Sequence, residues 1–131
     1  MQINSSKVTV NNSALETHSF LSDANNFEKL MPESISKFEA YDATKFLFAL
    51  KGMPEIALKQ TESTPNNYIK FTAGGGKIDF SLIININEID SNCCKIDLKF
   101  EGDFNPMMAM MIKKPITSFL ETLVSNASKT I

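Results

Sequence analysis

The chain has 131 residues, 43% of them apolar and 21% charged, and its 13 basic and 15 acidic side chains leave a net charge of −2. This composition is that of an ordinary globular domain. Every basic side chain is a lysine, and no basic block or stripe occurs, which argues against a nucleic-acid-binding surface. No segment approaches the roughly 20 apolar residues of a membrane span, and the first residues lack the apolar core of a signal peptide. We therefore expect one cytoplasmic domain over residues 1–131, with no nucleic-acid partner and no stable membrane insertion.

The N-terminal part of the chain predicts one strand followed by two short helices. Residues 3–10 end in an alternating apolar and polar pattern that is typical of a strand. Ser13 and Glu16 have the spacing of a capping box, which satisfies free amide groups at a helix start. A second short helix is predicted for residues 24–30, where Pro32 ends it. One face of the first helix carries apolar residues together with the only histidine: Ala14, Leu15, His18 and Leu21.

Between residues 35 and 104 the apolar residues recur with a period of two. Turn-forming residues separate the apolar runs, so several short strands joined in an antiparallel meander are predicted. One face of these strands is apolar and the other is mixed, which fits a sheet covered on one side. The cleanest of the strands alternates Ile78, Phe80, Leu82, Ile84 and Ile86. The turn signals lie at residues 52–54, 64–67, 74–76 and 90–92.

A long helix is predicted at the C-terminal end, beginning at Asn105 as the cap and Pro106 as the first helical residue. Pro115 interrupts the pattern, because its ring excludes a normal hydrogen bond one turn back. The preceding turns are therefore either a separate short helix or the kinked start of a longer one. The apolar stripe of the helix consists of Ile112, Ile116, Phe119, Leu120, Leu123 and Ala127.

Four of the seven methionines lie within residues 107–111. Methionine is unbranched and polarizable, so it suits irregular gaps and surfaces that accept more than one shape. The cluster therefore either lines an adaptable apolar pocket or serves as plain filler. Its place between the last strand and the C-terminal helix favours lining. We expect residues 105–114 to form a movable end wall, with residues 116–127 as fixed core.

The element order predicts an α+β fold in which a curved antiparallel sheet wraps around a long C-terminal helix. The chain also resembles the SRPBCC superfamily, the START-like or helix-grip proteins, through residues 8–13, 20–23, 26–32 and 71–76. Within it, the chain is most similar to the bacterial carbon monoxide dehydrogenase subunit-like proteins and to polyketide cyclases. The resemblance implies a helix-grip fold with an internal apolar cavity, but no single activity, because such folds host carriers, cyclases and regulators.

The expected site is a cavity between the sheet and the C-terminal helix, although the same phenylalanines could equally fill a solid core. Met107, Met108 and Met111 would close one end of the cavity. Ten phenylalanines and no tryptophan favour recognition by shape and burial over hydrogen bonding. The remaining lining residues are Phe46, Phe48, Ile56, Phe71, Phe80, Leu82, Phe100, Ile116 and Phe119.

Three side chains are candidate polar groups of this site. Gln60 and Glu62 share strand parity with the apolar positions 56 and 58, so they are expected to face inward; Gln60 could instead reach water at a strand end. His18 lies within an apolar helical stripe, where a packed, hydrogen-bonded role is favoured over that of a general base. No constellation of side chains indicates a catalytic centre.

No metal or cofactor is predicted. One histidine and two cysteines do not supply the closely placed ligands that a zinc site needs. Cys93 and Cys94 are adjacent, so on a strand they face opposite sides of the sheet, and both are expected to be reduced.

The sequence thus favours binding of a small hydrophobic molecule, lipid- or isoprenoid-like, with no catalysis assumed. One alternative is a cyclase- or hydratase-type enzyme acting on an apolar substrate. The other is a protein-interaction module, which would present an exposed apolar patch in place of a cavity. The protein is expected to be a monomer or a homodimer.

Overall fold

A computed structural model describes residues 2–33, 35–51, 55–64, 67–73 and 80–131. The strands are β1 (Gln2–Asn4), β2 (Val8–Val10), β3 (Ile35–Asp42), β4 (Lys45–Leu50), β5 (Ile56–Thr64), β6 (Tyr68–Ala73), β7 (Phe80–Asp90) and β8 (Cys93–Gly102). The helices are α1 (Ala14–Leu21), a 3-10 helix (Ala24–Leu30) and α2 (Pro106–Thr130). The strands form one antiparallel sheet in the order β1-β8-β7-β6-β5-β4-β3, and β2 also pairs with β8. The predicted α+β helix-grip architecture is confirmed.

The predicted first strand is divided into two. β1 and β2 both pair with β8, with Ile3 opposite Phe100 and Val8 opposite Ile96. Between them, the Ser5 amide donates to the Leu98 carbonyl at 2.8 Å, and the Leu98 amide donates to the Ser5 hydroxyl at 2.8 Å. A serine side chain thus replaces one backbone partner where the strand is interrupted.

Both short helices begin at the predicted residues, and each has a side-chain cap. The Ser13 hydroxyl accepts the Glu16 amide at 3.0 Å, but the Ser13 amide donates to the Asn12 side chain at 2.8 Å. Asn12 therefore takes the part that the predicted capping box assigns to the Glu16 carboxylate. The second helix is of the 3-10 type, and its cap is Asp23, whose carboxylate accepts the Asn25 amide at 3.0 Å.

The inner face of the sheet forms the core together with α2. The period-two pattern predicted this face, and its alternating side chains along β7 and β8 are buried. Predicted features at residues 52–54, 65–66, 74–76 and Ile78 lie outside the described residues. The buried side chains of the two strands are Leu82, Ile84, Ile86, Cys94, Ile96, Leu98 and Phe100.

Helix α2 continues without interruption through Pro115, so the methionine segment is the first part of one long helix. Its predicted cap is confirmed, because the Asn105 side-chain oxygen accepts the Met108 amide at 2.8 Å. Two side chains tie the later part of α2 to the rest of the fold. Glu121 accepts the Ser6 amide at 2.7 Å, and Asn126 donates to the Leu30 carbonyl at 2.9 Å.

Candidate functional site

The predicted cavity is filled with aromatic and aliphatic side chains in this structure. Seven of the expected lining residues are buried, and Ile56, Phe80 and Met108 pack against them from partly exposed positions. An enclosed space beneath α2, bordered by Phe27 and Leu123 among others, measures about 10 Å³, about the space that one water needs. Within the described part of the chain, the seven buried side chains belong to the packed core and do not line an open cavity: Phe46, Phe48, Phe71, Leu82, Phe100, Ile116 and Phe119.

Four of these rings form a continuous series across the core, which we call the phenylalanine row. Phe119 of α2 stacks on Phe48 of β4, with ring centroids 4.7 Å apart. Phe48 lies 6.1 Å from Phe46, and Phe46 meets the edge of Phe71 at 5.6 Å. Aromatic pairs at these distances stabilise a core beyond the area they bury. The row joins α2 to strands β4 and β6.

A surface groove of about 190 Å³ lies at the Phe119 end of the row. Phe119 belongs to both the groove and the row, so the groove borders directly on the core. Pro115 also borders the groove, and because proline has no amide hydrogen, one hydrogen bond of the α2 backbone is missing there. The lining residues are Pro32, Leu50, Lys51, Pro115, Ser118, Phe119 and Thr122.

Gln60 lies at the other end of the row. It pairs with Phe71 across the β5–β6 ladder and is on the same face of β5 as buried Leu58, as predicted. Its side-chain oxygen is buried and has no hydrogen-bond donor among the described residues. Because buried polar atoms normally have partners, an unpaired amide oxygen against phenylalanine marks a place where a ligand donor would be stabilised.

Glu62 does not face inward, contrary to the sequence prediction. A register shift between Gln60 and Glu62 shows that β5 has a bulge at this point. The extra residue changes the parity of the strand, so Glu62 pairs with Lys70, and its carboxylate lies 3.5 Å from the Lys70 ammonium. Nothing in the periodicity of residues 56–64 indicates the bulge.

His18 connects α1 with the β5–β6 hairpin. Its Nε2 atom lies 2.8 Å from the Ser63 hydroxyl, and its Nδ1 atom lies 3.3 Å from the Ser22 hydroxyl. Burial lowers the pKa of His18 below the usual value, against a hydrogen bond with the Tyr68 backbone that raises it. Because both ring nitrogens have partners, the geometry supports the packed, hydrogen-bonded role.

Replacing His18 with glutamine is expected to reduce the loss of stability on mild acidification. The folded state holds His18 at a lowered pKa, so the unfolded chain binds more protons as the pH falls below the ordinary histidine value. The contribution of neutral His18 to stability is therefore fully present above the ordinary histidine pKa of about 6.5 and is lost as the pH falls below it. Urea unfolding between about pH 7.5 and 5.5, above the carboxylate range, measures the effect. If the free energy of unfolding fell equally steeply with pH in the wild type and in H18Q, the prediction would be contradicted.

Three of the clustered methionines point to solvent, so the prediction that Met107 and Met111 close a cavity is wrong for this structure. Met107, Met110 and Met111 are 75%, 82% and 70% exposed, while Met108 is half-buried. The reason is helical phase, because at 3.6 residues per turn the three lie opposite the buried stripe that contains Ile116. Extending the helical period backwards through Pro115 would have indicated this orientation.

A second depression and the two cysteines lie outside the phenylalanine row. A wider depression of about 710 Å³ lies at the end of the sheet, and its polar lining residues are Gln2, Thr72, Ser81, Glu101 and Asp103. Both cysteines are free, and the thiol of buried Cys94 donates to the Thr17 hydroxyl at 3.4 Å.

Within the described ranges, no group of three or more His, Cys, Asp or Glu side chains could hold a metal ion. None of the helices, as far as they are described, is long and apolar enough to cross a bilayer.

The fold described above is the START-like helix-grip fold. A START superfamily protein from Mycobacterium smegmatis superimposes with a TM-score of 0.75 at 14% identity, over 98% of this chain and 94% of that one. Norcoclaurine synthase from Thalictrum flavum, in complex with dopamine and hydroxybenzaldehyde, superimposes with a TM-score of 0.74 at 17% identity. The match covers 98% of this chain and 84% of the synthase. The di-domain ARO/CYC protein BexL of the BE-7585A biosynthetic pathway gives 0.67 at 13% identity, over 96% of this chain and 46% of BexL.

No protein-family profile matches the chain, and no curated protein sequence does. The similarity to solved structures nevertheless confirms the expected resemblance to START-like proteins and polyketide cyclases at the level of fold. The finer likeness to the carbon monoxide dehydrogenase subunit-like proteins stays a prediction.

Proposed function

We propose that the protein binds a small, elongated apolar molecule that carries one hydroxyl group. The observation that carries this proposal is the phenylalanine row, which leads from a surface groove at Phe119 to an unpaired buried oxygen on Gln60. Ile56, opposite Phe48 in the ladder, lies four residues along β5 from Gln60, a span of about 13 Å at the usual strand rise. A molecule of that length would reach from beneath Phe119 to the amide.

The ligand would insert between phenylalanine rings of the row and replace some of their contacts with one another. The described space beneath α2 measures about 10 Å³ and the rings of Phe48 and Phe119 are stacked, so binding requires these rings to turn or α2 to shift outward. The missing backbone hydrogen bond at Pro115 lowers the cost of displacing this part of α2. Apolar burial, at about 25 cal/mol per Å², would drive binding and offset the opening of the row.

A hydroxyl on the ligand would add specificity at the far end of the row. Leaving a buried acceptor unpaired costs about 1–3 kcal/mol, and a donor from the ligand would recover that free energy. The START-like fold supports the proposal, since norcoclaurine synthase with this fold holds dopamine and hydroxybenzaldehyde. Catalysis is not part of the proposal, because the buried histidine already has partners for both ring nitrogens. A cytoplasmic location and a single domain over residues 1–131 stay predictions.

The Gln60→Met variant is expected to abolish a preference for hydroxylated ligands. We expect the wild type to bind 1-decanol about tenfold more tightly than decyl methyl ether, which lacks the donor, in line with one buried hydrogen bond. Q60M removes the acceptor at similar length, so the two affinities should become equal. The free energy of unfolding should rise by about 1 kcal/mol, because an unpaired polar atom leaves the core. NMR titration and urea unfolding measure the two effects.

The matched control is Gln2→Met, because Gln2 is the only other glutamine of the chain and is exposed on β1. Q2M should keep both the ligand preference and the stability of the wild type. Absence of decanol binding, or a preference that survives in Q60M, would overturn the proposal. Chemical-shift changes confined to residues outside the row would overturn it as well.

A further inference from the structure

The outer surface of α2 carries an apolar patch that no other described part of the fold covers. Met107, Met110 and Met111, which we call the methionine face, project from the first two turns of the helix and are at least 70% exposed. An open depression of about 460 Å³ adjoins Met110 and is lined further by Lys113, Lys114, Thr117 and Ser118. Three large exposed apolar side chains on adjacent turns form a patch of the kind that marks an interaction surface.

The α2 residues that follow the methionine face carry charge of one sign as far as Glu121. Between Phe104 and Glu121 the chain carries no acidic residue and two lysines, Lys113 and Lys114, although the whole protein has a net charge of −2. Both lysines are exposed, and neither belongs to an ion pair within the described part of the chain. Their charges are therefore available to an external anionic surface.

We propose that the methionine face, together with Lys113 and Lys114, docks the protein reversibly on the surface of an anionic lipid bilayer. Apolar side chains flanked by lysines are what an interfacial helix presents to lipid headgroups. Three methionines reach only the boundary between headgroups and acyl chains, so the contact is peripheral.

The docking surface is continuous with the groove described above. Met111, Pro115, Ser118 and Thr122 follow each other at intervals of four, three and four residues, which places them along one side of the helix. The last three of them line the groove beside Phe119. This part of the inference rests on the proposed function, because a docked protein would hold the groove near the membrane surface, where apolar molecules are concentrated.

The geometry favours lipid over a protein partner. A stable protein interface buries about 800 Å² on each side and is anchored by aromatic or arginine side chains in pockets. The methionine face is a small projecting surface on one end of a helix, and the chain has no arginine or tryptophan. A fluid bilayer adapts to such a surface without needing a complementary pocket.

Flotation with lipid vesicles tests the inference. The wild type should float with vesicles of mixed phosphatidylcholine and phosphatidylglycerol and not with phosphatidylcholine alone, and high salt should release it. The triple variant M107S/M110S/M111S should bind at least roughly tenfold more weakly, because the apolar contact is lost. K113Q and K114Q should each weaken binding about fivefold.

The control variants change exposed apolar residues elsewhere. Leu15 and Ile89 are 62% and 52% exposed, and L15S and I89S should float like the wild type. Equal binding to neutral and anionic vesicles, or equal losses in the control variants, would overturn the inference. A wild-type dimer that M107S/M110S/M111S converts to a monomer would show that a second copy covers the face, which also overturns it. Binding of 1-decanol without lipid should be the same in the triple variant, so failure of docking and failure of ligand binding are distinguishable.

Discussion

Replacing Phe46 with alanine should lower the free energy of unfolding by about 3–5 kcal/mol. Phe46 is 1% exposed and is the ring with the most ring neighbours in the described core. Its removal leaves a void that the surrounding strands cannot close, because the neighbouring rings belong to four different elements. Urea unfolding followed by far-UV circular dichroism measures the loss. The four neighbours lie within 6.1 Å between centroids: Phe27, Phe38, Phe48 and Phe71.

Tyr41→Ala provides the control for the Phe46 variant. Tyr41 is an aromatic residue of the neighbouring strand β3 and is 55% exposed. Its removal should change the free energy of unfolding by less than about 0.5 kcal/mol, as at most surface positions. Comparable losses in F46A and Y41A would show that the rings of the core are not closely packed around Phe46.

Phe119→Ala should produce a similar loss of stability, about 3–5 kcal/mol, and also open the core to small apolar molecules. Phe119 is the ring that borders both the groove and the phenylalanine row. Removing it joins a groove of about 190 Å³ to the space between Phe48 and α2. An apolar void of this kind binds benzene. Benzene should therefore raise the melting temperature of F119A, because it binds the folded state alone.

The matched control is the next residue on the same helix. Leu120 is fully buried and does not line the groove. L120A should lose about 2–5 kcal/mol, while benzene exchange, measured by NMR, should be slower than in F119A. If benzene enters both variants at the same rate, the groove is not the route to the row. If F119A shows no response to benzene, Phe119 does not separate the groove from the core.

Much of the fold follows from local pattern. The alternating residues of β7 and β8 predict a sheet with one buried face, and Asn105, Pro106 and the stripe through Ile116 predict the helix that covers it. These features are local because side-chain direction repeats every two residues in a strand and every 3.6 residues in a helix. The α+β arrangement of a sheet wrapped around the C-terminal helix could therefore be predicted from these patterns, and its START-like character was implied by the resemblance to that superfamily.

Which side chains face the site depended on tertiary structure in two places. A bulge in β5 turned Glu62 outward while Gln60 stayed inside, and an uninterrupted helix through Pro115 turned Met107 and Met111 to solvent. In each case one residue of register or a fraction of a helical turn reversed the direction of a side chain. The bulge depends on what the neighbouring strand accepts, and the apolar pattern of residues 56–64 does not indicate it. The direction of the methionines, in contrast, follows from the helical period once α2 is known to continue through Pro115.

The sequence by itself determined that apolar side chains from the sheet and from α2 would face one another. Whether they enclose a cavity or a packed core was decided only by the tertiary structure. Phe119 and Phe48 are 71 residues apart in the chain, and their rings lie 4.7 Å apart between centroids. Filling the space depends on the simultaneous orientation of such distant rings, which no local pattern encodes. The same packing left one buried oxygen, that of Gln60, without a partner among the described residues.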